Sequence, residues 1–192
     1  IDPGWVAYSD PHQPGTSGRG RARIPEMCVA RVSWSDDLGK TWTFCKGDLM
    51  GWFDERGVPN GGLGATACDE PGVAETADGR VMFVARSQVG RIVHSYSTDE
   101  GKTWSAVRPM ELAASFSPPR LRRVPKTGDL LLIWSQVSVD EIERGDWRAR
   151  LSSAISKDSG KTWGHFKTIR LAEGMDEIAR VEPEKPIRFR QN

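Results

Sequence analysis

Cysteine, histidine and tyrosine are scarce in this chain, and the first two scarcities each exclude a class of function. The three cysteines, Cys28, Cys45 and Cys68, are odd in number and fall in or near strand-like segments without metal-ligand spacing. Buried thiols are expected rather than a disulfide scaffold. His12, His94 and His165 are scattered and form no His/Cys cluster, so a zinc site is disfavoured and neither metal nor other cofactor is expected. Excess charge is missing as well. The formal net charge is +1, which leaves no electrostatic footprint for a nucleic-acid partner. The Arg19-Gly-Arg21-Ala-Arg23 cluster reads as a loop rather than a binding patch. No apolar run approaches the ~20 residues that span a bilayer, and no signal peptide is visible after Ile1. A membrane partner is therefore not expected, and the compartment stays open. Convincing amphipathic helices are also absent, with Met110 to Ala114 and Glu173 to Ala179 the only weak candidates.

What the chain does have is a motif in three copies. SDDLGKTW runs from Ser35 to Trp42, STDEGKTW from Ser97 to Trp104, and SKDSGKTW from Ser156 to Trp163, each fitting Ser-x-Asp-x-Gly-x-Thr-Trp without a gap. Repetition of this kind implies a repeat architecture. Each copy has hairpin-turn composition. Asp37, Asp99 and Asp158 can bond backbone N–H groups two residues on, and Gly39, Gly101 and Gly160 can take positive φ. The aspartates thus read as turn-formers, not catalytic acids. Incoming strands are predicted at Cys28 to Trp34, Ile92 to Tyr96 and Leu151 to Ile155, and each Thr–Trp pair opens the outgoing strand.

The copies lie about 60 residues apart, room for one four-stranded sheet plus loops. Between the second and third, Leu121 to Val124, Leu130 to Trp134 and Ala149 to Ile155 are short apolar segments, separated by Pro125 to Gly128 and by the polar run Asp140 to Gly145. The pattern predicts an all-β fold of propeller blades, about three of them in a single partial domain over residues 1–192. Propellers close with about four to eight blades. Further blades, or self-association to cover open edges, are therefore expected partners.

The triplicated motif is the Asp box, or BNR repeat, and the chain resembles the sialidase (neuraminidase) superfamily of six-bladed propellers. A more specific likeness lies in Asp69 to Arg86, DEPGVAETADGRVMFVAR. It is similar to the sialidase segment that carries a glutamate, a Glu-x-x-Asp-Gly-Arg hairpin and a terminal arginine. Glu70 and Arg86 occupy the ends, sixteen residues apart, and Glu75 with Asp78-Gly79-Arg80 fills the hairpin. A site arginine often precedes a later box in this superfamily, and Arg148 matches that position, with Arg150 the neighbouring candidate. On a strand these two point to one face, so the sequence leaves both open. SPPRLRRVPKTGDLLLIW, from Ser117 to Trp134, resembles the bacterial BNR branch and adds Arg120.

The resemblance implies an exo-acting, retaining glycoside hydrolase for terminal sialic acid or a related acidic sugar. Planar guanidinium groups grip a carboxylate through parallel hydrogen bonds, the role implied for Arg86, Arg148 and Arg120. An anionic nucleophile would be repelled by the substrate carboxylate, so sialidases use a tyrosine hydroxyl, activated by a neighbouring base. Glu70 matches that base. The chain departs from the pattern elsewhere. Its only tyrosines are Tyr8, in a Pro/Gly-rich opening, and Tyr96, beside the second box, and neither matches the nucleophile. Arg23-Ile24-Pro25 copies a family tripeptide but lies too close to the first box, so either the intervening segment is deleted or, the preferred reading, the match is a coincidence. The acid/base aspartate has no counterpart beyond the conceivable Asp10. These gaps support the alternative, a non-catalytic Asp-box propeller that binds glycan or protein.

Overall fold

The computed structural model describes the backbone of residues 2–8 and 27–189 and the side chains of residues 29–189. Within them the chain is all-β apart from one short helix, as expected. The first sheet holds β1 (Asp2–Tyr8), β2 (Met27–Trp34) and β3 (Thr43–Phe44). A hairpin of β4 (Gly51–Phe53) and β5 (Gly64–Thr66) follows. The second large sheet is a four-stranded meander of β6 (Asp69–Glu75), β7 (Val81–Arg86), β8 (Arg91–Ser97) and β9 (Arg108–Ala113). The third repeats it with β10 (Arg120–Arg123), β11 (Leu130–Ser135), β12 (Arg150–Ser156) and β13 (Gly164–Leu171). The leading strands of the three sheets, β1, β6 and β10, lie against one another, as the innermost strands of adjacent blades do. The sheets do not close into a ring.

The second sheet is sandwiched between its neighbours, which explains the unbroken apolar run Val81 to Ala85. All six residues of β7 are buried. Successive strand side chains point to opposite faces. Phe83 and Ala85 therefore join a core with Val32, Phe53 and Val93, toward the first sheet. Met82 and Val84 join the other core, with Leu121, Leu132 and Trp134 of the third sheet. Trp134 is almost wholly buried because its indole donates to Ala113 O at 2.9 Å, which satisfies the one polar atom of a large apolar body. Cys45 and Cys68 are buried thiols in the first core, while the Cys28 side chain lies outside the described residues.

All three boxes form the hairpin after the third strand of their unit or its equivalent, joining β2 to β3, β8 to β9 and β12 to β13. Their bonding is nearly identical. In the second box the Ser97 hydroxyl donates to Asp99 Oδ1 at 2.8 Å and accepts from Gly101 N at 2.8 Å. Asp99 then accepts from Thr103, N to Oδ1 at 2.8 Å and Oγ1 to Oδ2 at 2.6 Å. The aspartate thus bonds the residue four positions on, not two as expected, because two consecutive left-handed residues, Glu100 (φ 62°) and Gly101 (φ 93°), lengthen the turn. The Thr–Trp pair closes the turn rather than opening the strand, and β9 begins only at Arg108. The hydrogen bonds from threonine lower the carboxyls of Asp37, Asp99 and Asp158 to about 2. The first box stands free, with Leu38 101% exposed, whereas the third packs on the second sheet. There Tyr96 Oη donates to Ser159 O at 3.1 Å, and Asp78 N to Ser159 Oγ at 3.3 Å.

Two local readings are corrected. Met110 to Ala114 falls largely in β9, and Glu173 to Ala179 has no regular structure. The helix is α1 (Val139–Arg144), inside the polar run taken as a separator. Ser138 and Glu141 form a reciprocal capping box and Gly145 closes the helix in the left-handed conformation, so side-chain hydrogen bonds rather than an apolar stripe define it. After β13 the chain straps back across the molecule. Val181 N donates to Gln136 Oε1 at 2.9 Å, Arg91 Nη2 to Glu184 O at 2.6 Å, and Ile187 N to Glu55 O at 2.8 Å.

Candidate functional site

Strand register decides which residues share an end of the blades. In the second sheet Asp69 pairs with Arg86 at one end, while Glu75, Val81 and Ser97 meet at the other, where the box begins. In the third sheet Leu130 and Ser156 mark the box end, and Ser135 and Leu151 the opposite end. Arg148, just before β12, therefore lies at the same end as Glu70 and Arg86.

A bulge aims Glu70. The pairing of β6 with β7 slips between Asp69 and Gly72, and Glu70 adopts φ 45°, a left-handed conformation costing about 1–3 kcal/mol for a residue with a side chain. Glu70 Oε2 thereby comes within 3.0 Å of Arg86 Nη1. Arg86 is held from three sides. Its Nε and Nη2 donate to Asp69 Oδ2 at 3.2 and 2.5 Å, its Nη1 reaches Phe116 O at 3.5 Å, and its guanidinium lies 4.1 Å from the centre of the Phe116 ring. Arg148 Nη2 donates to the same carbonyl at 3.4 Å. One peptide oxygen thus sits between two guanidinium groups, with a carboxylate beside them. The Arg86 side chain is 10% exposed and that of Glu70 41%, so the arginine is fixed, while Glu70 reaches solvent except at Oε2, which is buried and accepts no hydrogen bond. Such a cluster can offer N–H donors to an anionic or carbonyl oxygen and a carboxylate to a nearby hydroxyl proton.

Glu70, Arg86 and Arg148 are therefore brought together. Arg148 lies in a turn rather than on the strand, which separates it from Arg150. Arg150, the neighbouring candidate, is corrected to a structural residue. It is buried, with Nη1 and Nη2 donating to Glu141 Oε2 and Oε1 at 2.9 and 2.6 Å, and Nη2 also to Asp176 O at 2.9 Å. Arg120 opens β10, pairs with Ile133 midway along β11, is exposed, and makes no hydrogen bond or ion pair among the described residues. It stands on an innermost strand but does not join the cluster. Tyr96 lies at the box end, with Arg80 4.0 Å over its ring. Tyr8 ends β1 opposite Met27, remote from the first box, and its side chain is outside the described residues. Asp10 and Arg23-Ile24-Pro25 also lie outside them. No group of three His, Cys, Asp or Glu side chains among the described residues is placed to hold a metal ion. No helix among them is long and apolar enough to cross a membrane.

Sequence reasoning missed Asp69 and Phe116. Asp69 adjoins Glu70 in the motif, and its identity as an acid next to a predicted arginine partner was the available signal. Phe116 lies in a Ser-Phe-Ser-Pro-Pro link whose composition suggests only a loop.

Solved structures resemble the fold. A protein of unknown function from Dyadobacter fermentans superposes with a TM-score of 0.52 at 21% identity, over 73% of this chain and 34% of that one. A mutant of the NanB sialidase from Streptococcus pneumoniae gives 0.51 at 17% identity, over 74% of this chain and 20% of that one. Trypanosoma rangeli sialidase with the inhibitor DANA gives 0.47 at 19% identity, over 68% and 20%. The chain thus spans between about a third and a fifth of the length of these proteins. No curated protein matches it in sequence. The likeness to the first two establishes the fold, that of sialidase β-propellers. Residues 14–179 match the family model described as a BNR repeat-like domain. Since that match takes in all three boxes and the strands between them, the chain belongs to the BNR repeat-like family.

Proposed function

We propose that this chain supplies part of the active site of a sialidase-like exo-glycoside hydrolase acting with retention on terminal sialic acid or a related acidic sugar. The observation that carries the reading is the gathering of Glu70, Arg86 and Arg148 at one end of adjacent sheets. Arg148, exposed and held by one long hydrogen bond, is free to turn its guanidinium to a sugar carboxylate. Arg86 adds its Nη1 corner, and Arg120 stands ready on the innermost strand. Glu70 acts as the base that takes the proton of an attacking tyrosine hydroxyl. That tyrosine and the acid for the leaving group come from outside the described side chains.

A second reading is favoured by one observation. The Nε–Nη2 edge of Arg86 is already spent on Asp69, so Arg86 cannot offer a ligand its two-pronged face. A neutralised arginine of this kind suits a non-catalytic propeller that binds glycan or protein. A fluorogenic sialoside assay separates the two. Hydrolysis that falls about 10²–10⁴-fold in Glu70→Gln supports catalysis. Saturable sialic acid binding without turnover, in the protein extended by its remaining blades, supports binding alone.

A further inference from the structure

A groove of about 510 Å³ runs along the seam between the second and third sheets, remote from the Glu70 cluster and sharing no residue with it. Its volume is that of a small-ligand site, which runs from about 300 to 1,000 Å³. Trp163 and Phe166 supply aromatic surface on the side of the third sheet, and Met110 and Leu112 supply aliphatic surface on β9 of the second. Phe166 is braced from behind by Trp134, edge-on at 6.3 Å.

Two polar atoms in these walls lack partners, and one of them departs from a pattern. In the first and second boxes the tryptophan indole donates to the box glycine, Trp42 to Gly39 O at 3.1 Å and Trp104 to Gly101 O at 3.0 Å. The third copy breaks the rule, and Trp163 Nε1 has no acceptor. Across the groove His94 Nδ1 is likewise buried without a partner. Burial lowers the His94 pKa to about 4, so the ring is neutral near pH 7 and can accept at one nitrogen and donate at the other. His94 and Trp163 thus place two unpartnered ring nitrogens in opposite walls, each buried just behind the groove surface. The rim charges are mostly spoken for. Arg180 pairs with Glu182 at 2.9 Å, and Glu111 with Arg91 and Lys185.

We propose that this groove binds a neutral pyranose, as a glycan subsite separate from the Glu70 cluster. A pyranose offers an apolar C–H face to aromatic rings and hydroxyls that both donate and accept, which suits an unmet indole donor and an unmet imidazole nitrogen set among apolar walls. Small rotamer adjustments, common at binding surfaces, bring the two ring nitrogens to the ligand. Among the rim charges only Lys161 lacks an ion-pair partner among the described residues.

The test is a titration of the ¹⁵N-labelled chain with methyl β-D-galactopyranoside and methyl β-D-glucopyranoside, read at the tryptophan indole signals, with that of Trp163 assigned from Trp163→Phe. The expected result is a saturable shift of the Trp163 signal by at least one glycoside in the millimolar range. His94→Phe should weaken that binding about fivefold to tenfold, the loss of one neutral hydrogen bond. Benzyl alcohol is the control for a merely apolar slot. The proposal is overturned by no saturable shift with either glycoside, by glycoside affinity unchanged in His94→Phe, or by benzyl alcohol binding more tightly than both sugars. No sialoside enters the experiment, so its outcome is independent of the hydrolase reading.

Discussion

Replacing Arg148 and Arg150 one at a time should produce opposite defects, although the two stand only two residues apart. Arg150 has a side chain 0% exposed and forms both hydrogen bonds of a bidentate pair with Glu141, itself 6% exposed. Burial works to raise the Glu141 carboxyl, but the bonds from Arg150 and from the Ser138 main chain outweigh it, so the group stays below its ordinary range and ionised. Arg150→Met leaves that charge buried without its cation, held by the Ser138 main chain, which costs about 3–5 kcal/mol. For a chain of this length each kcal/mol moves Tm by about 2–4 °C, so Tm should fall by roughly 6–20 °C. Adding Glu141→Leu should recover part of the loss, because the stranded charge goes with it. Arg148 is exposed and makes one 3.4 Å bond, so Arg148→Ala should alter stability by no more than about 0.5 kcal/mol. It should instead weaken acidic-sugar binding, by about tenfold or more if a charge-assisted bond is lost. Differential scanning calorimetry of the four proteins, with sialic acid titration of the two soluble arginine forms, reads both effects. Equal falls in Tm for Arg148→Ala and Arg150→Met would refute the assignment of roles.

Acid should weaken the fold in two stages. His94 has its pKa depressed to about 4, so the stability it contributes is complete above about 6.5 and fades as pH falls toward 4; urea midpoints across that range should flatten in His94→Phe. The three box aspartates, lowered to about 2, add stability that is complete above about 4 and disappears as pH falls to about 2, a window that Asp99→Ala should narrow in effect. Gly160→Ala should cost about 1–3 kcal/mol in chemical denaturation, since φ is 86° and a Cβ would lie 2.5 Å from Met82 Sδ and 2.6 Å from Tyr96 Oη. Gly79→Ala, with φ 83° but open space around it, should cost only about 1 kcal/mol, the conformational part.

The sequence carried the fold because its strongest signals are local. Box residues bond within four positions of one another, and the apolar runs before each box are strands wherever they stand. The cluster of Glu70, Arg86 and Arg148 was legible through resemblance, since spacing within a motif survives when tertiary contacts are hidden. Arg148 and Arg150 could not be separated in advance, because the distinction depends on where β12 begins and on a helix cap at Ser138. Asp69 and Phe116 were out of reach for a similar reason. Their importance comes from a slipped register in β6 and from a loop that crosses between sheets, and neither leaves a periodic trace. Helix α1 was within reach, through Ser138-x-x-Glu141 and Gly145, and was lost to an apolar pattern it does not need.

The three boxes look alike on paper, yet their surroundings make them unequal as places to build. The tip at Leu38 projects into solvent and meets no other sheet among the described residues, so an epitope tag or a fluorophore-bearing cysteine grafted between Leu38 and Gly39 should be carried without disturbing either core. The same graft at Ser159 would pry apart two blades, because that tip is wedged against Met82 and Tyr96.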